Sequence, residues 1–164
     1  MCLISTVNGA ISLECFDNTA ISFIIFFPTE TLRKYTFGKA IKRLCCKDYK
    51  TEEGHIIKSG TLVIIPTEAI HSDPDIYSNP QEFNPERFTC GQFKYKMSFL
   101  PFGAGPRGCI GAKFGDLQVK FLIICLLRNY RLSMSSRSEN PIQIDHNAKL
   151  MKPKNGVILN VERI

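Results

Sequence analysis

Hydrophobic and polar positions form recognisable segments only after about residue 29. Residues 1–29 mix Ser, Asn and isolated hydrophobic residues without a sustained helical or strand period, so we expect a disordered or foreign leader there. Glu30–Tyr35 has the pattern of the end of a short helix, and Thr61–Ile65, rich in β-branched residues, predicts a strand. Residues 72–90 are dense in Asp, Pro, Asn and Ser, which predicts a long irregular loop. We therefore expect one domain over residues 30–164, preceded by the leader.

A hydrophobic helix is predicted over Ala112–Tyr130, followed by strands around Tyr130–Met134 and Val157–Val161. Phe114 and Phe121 belong to one apolar face of this helix, but further hydrophobic residues occupy the other faces. A helix that is apolar all round requires burial on every side, and the sequence predicts no second long helix to cover it. We therefore expect its packing partners to come from another chain or from the rest of a larger domain.

Composition and charge narrow the class of protein. The chain has 164 residues, of which 44% are hydrophobic and 22% charged, as expected for a single globular domain. Its formal net charge is +6, and no Lys or Arg occurs before Arg33. A basic chain could contact nucleic acid, an anionic membrane or an acidic protein. Because the basic residues are scattered and no nucleic-acid motif accompanies them, we expect no nucleic-acid binding.

The spacing of the cysteines and the length of the apolar runs indicate the cellular environment of the chain. Seven cysteines form no disulfide framework by spacing, and the N-terminal region lacks the positive segment of a secretory signal, which favours a reducing, intracellular environment. The longest apolar runs, Ala20–Phe27 and Phe121–Leu127, are far shorter than the ~20 residues of a membrane-spanning helix. The sequence therefore predicts no membrane anchor in this chain.

The segment Phe102–Gly111, called the cysteine loop below, carries the clearest chemistry. It holds four glycines and a single cysteine just before the predicted helix. Glycine permits positive φ and close approach to a flat ligand, and the N–H groups at a helix start favour a metal-binding thiolate. Arg107 could pair with a ligand carboxylate, and Phe102 could pack against the ligand face. The alternative is a glycine-rich turn in which Cys109 is only a small buried residue.

In the order of its Phe, Gly, Arg, Cys and Gly residues, the cysteine loop closely resembles the signature of the cytochrome P-450 family. The resemblance covers about Glu30 to Ile164 and is closest to microsomal, insect-type members. It implies a mainly α fold with small β elements (α+β), as the incomplete C-terminal part of the cytochrome P-450 domain. It also implies that Cys109 is the axial iron ligand of haem (iron protoporphyrin). The residues implied to bind the cofactor are Arg43, Phe102, Gly103, Arg107, Gly108, Ile110 and Gly111.

Two further motifs occur in the order that the resemblance implies. Glu30-Thr31-Leu32-Arg33 places a carboxylate and a guanidinium on one helix face, and Pro85-Glu86-Arg87-Phe88 supplies a second arginine. By resemblance, Glu30, Arg33 and Arg87 form a buried, structural charge cluster, although a Glu-x-x-Arg pair alone is usually a solvated ion pair. His71 could be a metal ligand by residue type, but the resemblance implies a packing residue.

The function implied by the resemblance is that of a haem-thiolate monooxygenase, an oxidoreductase acting on paired donors that inserts one oxygen atom into an apolar small molecule. The implied partners are an NADPH-dependent reductase and the endoplasmic reticulum membrane. The family's oxygen-activating helix is not found in this sequence, so no catalytic residue is expected here. The alternatives are a catalytically inactive, truncated haem-binding fragment and an interaction module that never meets haem.

Overall fold

The structure, a computed structural model, describes residues 10–11, 18–89, 96–145, 147–148 and 150–164. The chain forms three α-helices, seven short strands and three 3-10 turns in these ranges. The helices are α1 (Asn18–Lys34), α2 (Thr67–His71) and α3 (Ala112–Asn129). The strands are β1 (Ala10–Ile11), β2 (Ile41–Leu44), β3 (Tyr49–Lys50), β4 (Ile56–Ile57), β5 (Leu62–Ile65), β6 (Tyr130–Met134) and β7 (Leu159–Arg163). The 3-10 turns are Pro85–Phe88, Lys96–Ser98 and Gly105–Arg107.

Helix α1 differs from its prediction at its N-terminal end. It begins at Asn18 and passes through the expected boundary at residue 29, so the expectation of irregular chain is wrong for residues 18–29. Pro28 lies inside the helix, where its ring nitrogen cannot donate to the preceding turn. The Thr29 and Thr31 hydroxyls donate to the carbonyls of Ile25 and Phe27, at 3.0 and 2.8 Å. Packing of α1 on α3 maintains the helix across this proline.

Between α1 and the cysteine loop the chain forms two antiparallel hairpins. Strand β2 pairs with β5 in the register Ile41↔Ile65 to Leu44↔Leu62, and β3 pairs with β4. The predicted strand at Thr61–Ile65 is therefore confirmed, apart from its first residue. Along β2 the side chains of Ile41 and Arg43 are half-buried and those between and after them are exposed, so both point to one side of the hairpin.

Helix α3 and strands β6 and β7 form the C-terminal part, close to the predicted bounds. β6 pairs antiparallel with β7, which lies two residues later in the chain than the predicted strand, and with β1. α1 packs on α3 through buried Ile24 and Leu127, flanked by half-buried Phe23, Ile123 and Leu132. The mixed α and β content agrees with the predicted fold class.

The outer faces of α3 are open in the described structure. Phe114, Leu117 and Phe121 expose 64%, 64% and 66% of their surface. This is the arrangement expected for a helix whose other packing partners are not among the described residues. Among the described residues, no helix combines the length and apolar character needed to cross a membrane.

Candidate functional site: the cysteine loop and its support

The cysteine loop folds back on itself immediately before α3. The Cys109 amide donates to the Phe102 carbonyl at 2.9 Å, which closes the loop. Gly103 and Gly105 have φ of +74° and +71°, a region that side chains with a Cβ rarely adopt. At Gly108 a Cβ would lie 3.2 Å from the Gly105 carbonyl oxygen. The glycines are therefore needed for the path that presents the exposed Cys109 thiol.

An open cavity of about 520 Å³ lies in front of this thiol. One wall is the cysteine loop and the opposite wall is strand β2 with the segment after α1. The cavity, called the loop cavity below, is lined among others by Phe37, Ile41, Arg43, Leu100, Phe102, Gly103, Arg107 and Cys109. It thus combines one thiol, apolar walls and two guanidinium groups.

Arg43 connects the two walls of the loop cavity. Its Nη2 donates to the Arg107 carbonyl at 3.2 Å, and its Nη1 donates to the Lys42 carbonyl at 2.9 Å. The guanidinium of Arg107 is exposed, with no hydrogen-bonding partner among the described residues. Three basic residues, Arg43, Arg107 and Lys42, line a cavity with apolar walls, which favours a ligand that has an apolar body and anionic groups.

The residues of the loop cavity fit haem by their chemistry. A thiolate is an axial ligand of haem iron, apolar walls suit the flat macrocycle, and guanidinium groups suit the propionates. Groups of three or more His, Cys, Asp or Glu side chains able to hold a bare metal ion do not occur in the described chain.

The predicted cofactor-binding residues do not all line the loop cavity. Arg43, Phe102, Gly103, Arg107 and Cys109 do. The other three do not line it. A Cβ at Gly108 would lie close to the Gly105 carbonyl, the Ile110 side chain is fully exposed, and the Gly111 carbonyl accepts the Gly115 amide in the first turn of α3.

Glu30, Arg33 and Arg87, called the charge cluster below, come together behind the loop. Arg33 binds Glu30 in a bidentate pair, with Nε–Oε2 at 2.7 Å and Nη2–Oε1 at 2.8 Å. Arg87 Nε lies 3.2 Å from Oε1 of Glu30, and the Asn84 amide donates to the same oxygen at 3.0 Å. Glu30 and Arg33 are 0% and 1% exposed. A buried carboxylate with four donors satisfies the condition under which ionised groups persist inside a protein.

The charge cluster also holds the irregular chain between α2 and the Pro85–Phe88 turn. Arg33 Nη1 donates to the His71 carbonyl at 2.7 Å, and its Nη2 donates to the carbonyls of Pro80 and Glu82 at 2.8 and 3.2 Å. Arg87 Nη1 donates to the Ser78 carbonyl at 3.1 Å. The irregular segment predicted from its polar composition is therefore fixed by side-chain bonds rather than by a backbone ladder; its last residue, 90, lies outside the described residues.

His71 has a role that sequence reasoning missed. Its side chain is 0% exposed, and both ring nitrogens are hydrogen-bonded: Nδ1 lies 3.0 Å from Thr36 Oγ1, and Nε2 accepts the Leu100 amide at 2.9 Å. Burial lowers the pKa of His71 to about 4, so the ring is neutral at physiological pH. In the sequence, only the position of His71 just before Asp73-Pro74 pointed to a structural role, and that position does not distinguish packing from hydrogen bonding.

Comparison with known proteins decides the family. A sequence model described as Cytochrome P450 matches residues 27–161. The chain belongs to the cytochrome P450 family. Its members bind haem, which agrees with the chemistry of the loop cavity.

Several similar cytochromes P450 are insect proteins. Cytochrome P450 6A1 of Musca domestica is 41% identical over 160 residues, covering 90% of this chain and 31% of its own length. Cytochrome P450 6a8 of Drosophila melanogaster is 41% identical over 82% of the chain and 28% of its own. Cytochrome P450 6a9 of the same species is 36% identical over 99% of the chain and 32% of its own. This P450 chain thus spans about a third of the length of these curated relatives, and the last alignment includes nearly all of residues 1–29.

Proposed function

We propose that this chain is the haem-thiolate part of a monooxygenase, an oxidoreductase that acts on paired donors and inserts one oxygen atom into an apolar small molecule. The observation that carries the proposal is the exposed Cys109 thiol at an apolar cavity edged by Arg43 and Arg107. Membership of the family supports the same reaction class. The active unit would comprise this part of the fold and the other two-thirds that the relatives possess.

Each residue of the site has a distinct proposed role. The Cys109 thiolate would be the axial ligand, and Arg43 and Arg107 would bind the propionates. Phe102 would pack on the macrocycle, and the charge cluster would hold the loop in place without contacting the cofactor. When bound, haem would supply the redox chemistry that activates oxygen, with the thiolate donating electron density to the iron.

The proposed partners follow from the same family membership. An NADPH-dependent reductase would supply electrons, an apolar small molecule would be the substrate, and the endoplasmic reticulum membrane would be the location of the complete protein. On the cysteine side of α3, Lys113 is exposed and available to an acidic reductase surface, whereas Lys120 is paired with Asp116 at 2.6 Å.

A second proposal is that the chain binds haem without catalysing oxygenation. The exposed apolar surface of α3, which has no packing partner among the described residues, supports it. Turnover with added reductase and NADPH separates the two proposals, because only the first predicts an oxidised product.

The test of both proposals is a haem titration of the purified chain, followed by reduction and exposure to carbon monoxide. We expect the red-shifted Soret band of a thiolate-ligated complex. Cys109→Ser should abolish this band, whereas Cys125→Ser, which removes another exposed thiol on α3, should leave it unchanged. A band that persists in Cys109→Ser would refute the assignment of the ligand.

A further inference from the structure

The loop cavity is connected to α1 by a chain of hydrogen bonds through His71. A backbone amide can only donate, so the Leu100 N–H at 2.9 Å requires His71 Nε2 to be an unprotonated acceptor. The ring proton must then reside on Nδ1, 3.0 Å from the Thr36 hydroxyl oxygen. Thr36 in turn donates its own proton to the Arg33 carbonyl at 3.0 Å. Every donor in this series has one acceptor, so one tautomer is specified.

The backbone of His71 is attached to the same support as its ring. Its carbonyl accepts Arg33 Nη1 at 2.7 Å, so His71 is bonded to Arg33 directly through its backbone and, through Thr36, by its ring. The ring also stacks on Phe99, with centroids 5.6 Å apart and planes inclined by 26°. A ring that is fixed at both nitrogens and on one face cannot rotate without breaking several contacts.

The donor end of this series, the Leu100 amide, lies two residues before the cysteine loop begins. The Leu100 carbonyl accepts the Gly103 amide at 3.1 Å, and Leu100 lines the loop cavity. Two residues after Leu100, the Phe102 carbonyl accepts the Cys109 amide at 2.9 Å. Displacement of Leu100 would therefore shift the first turn of the loop and the bond that orients Cys109.

We propose that His71 is a positioning residue for the cysteine loop: as the Nδ1–H tautomer it holds the Leu100 amide, and with it the turn that presents Cys109, against the charge cluster. Only the role of Cys109 as an iron ligand rests on the proposed function. The hydrogen-bonded attachment of the loop does not require haem.

The first test measures the loop without cofactor. Amide hydrogen exchange is compared between the wild-type chain and His71→Phe, which keeps an aromatic ring but has no nitrogen, with His55→Phe at an exposed position as the control. We expect the Leu100, Gly103 and Cys109 amides to exchange roughly tenfold to a hundredfold faster in His71→Phe, because a buried bond is lost. Leu127→Ala, which weakens the α1–α3 core, should not reproduce this local pattern.

The second test measures the tautomer. In the wild-type chain, ¹⁵N chemical shifts of the His71 ring should identify Nδ1 as protonated and Nε2 as the acceptor. His71→Gln restores a hydrogen-bond acceptor for the Leu100 amide, whereas His71→Phe does not. Exchange of the Leu100 amide should therefore be slower in His71→Gln than in His71→Phe. A protonated Nε2, or exchange that rises uniformly over the whole chain in His71→Phe, would overturn the proposal.

The third test measures whether the position of the loop affects thiolate ligation of haem. At equal folded fraction, His71→Phe should lose several-fold more of the thiolate-ligated carbon monoxide band than Leu127→Ala. If the wild-type chain shows no such band while the local exchange pattern is present, the proposed function fails and the positioning role stands. If the band is equal in the two variants and the exchange pattern is absent, His71 has only a general structural role and the proposal is wrong.

Discussion

Replacing Glu30 by Gln tests the charge cluster with the smallest change of shape. The substitution removes one negative charge from a site that is 0% exposed, where the carboxylate accepts four hydrogen bonds. One carboxylate oxygen serves three of these donors and the other serves Arg33 Nε alone, at 2.7 Å. The Gln amide nitrogen must occupy the position of one of the two carboxylate oxygens, where its own N–H groups would face an N–H donor.

The expected loss of stability follows from the charges that remain. Glu30→Gln leaves Arg33 and Arg87, with side chains 0% and 10% exposed, without a counter-charge. Removing one partner from a buried ion pair costs about 3–5 kcal/mol. For a chain of this size that corresponds to a melting temperature lowered by roughly 6–20 °C.

The assay is thermal and urea unfolding followed by circular dichroism. Asp48→Asn is the matched control, because it makes the same chemical change in an exposed pair with Lys58 and should have little effect. Arg87→Met should have an intermediate effect of about 1–2 kcal/mol, since Arg33 still neutralises Glu30. A cost below about 1 kcal/mol for Glu30→Gln, no more than a neutral hydrogen bond, would refute the reasoning. If Glu30→Gln does not fold, the order of Arg87→Met and Asp48→Asn still tests it.

Three other predictions concern pH, the backbone and the cofactor. The pKa of His71 is about 4 in the folded chain and 6.5 in the unfolded chain. The contribution of the neutral ring to stability is therefore intact above pH 6.5 and is lost as the pH falls to about 4, by about 3 kcal/mol in total. His71→Gln should remove this part of the pH dependence of stability, measured by urea unfolding. Gly103→Ala, at φ +74°, should destabilise the chain by about 1–2 kcal/mol in the same assay, whereas Gly38→Ala, with open space and no positive φ, should not. In haem titrations followed by absorption, Arg43→Gln should weaken binding several-fold, and equal weakening by Arg128→Gln, at an exposed position of α3 outside the loop cavity, would contradict a specific contact.

Sequence reasoning predicted the elements whose signal is local. The apolar run of α3, the β-branched strand β5 and the glycine spacing of the cysteine loop are each contained in one short segment, and the structure has them close to the expected bounds. Arg33 and Arg87 were named together only because a family resemblance joined two motifs far apart in the chain. Periodicity alone contains no information about such a pairing.

The features that were missed depend on tertiary contacts. Helix α1 continues through Pro28 because its residues pack on α3, and a local rule stops a helix at that residue. His71 was assigned to packing because the acceptor role of its ring depends on a backbone amide 29 residues later. Neither partner could be identified from the spacing of residue types.

The charge cluster, His71 and Leu100 all precede Cys109 in the chain. Glu30 and Arg87 are 57 residues apart, His71 lies between them, and Leu100 follows before the thiol. Because a ribosome releases a polypeptide from its N-terminus, the support is synthesised before the residue that it serves. Cys109 is thus synthesised after these residues, and a nascent chain interrupted between Leu100 and Cys109 would contain the supporting residues but not the proposed ligand.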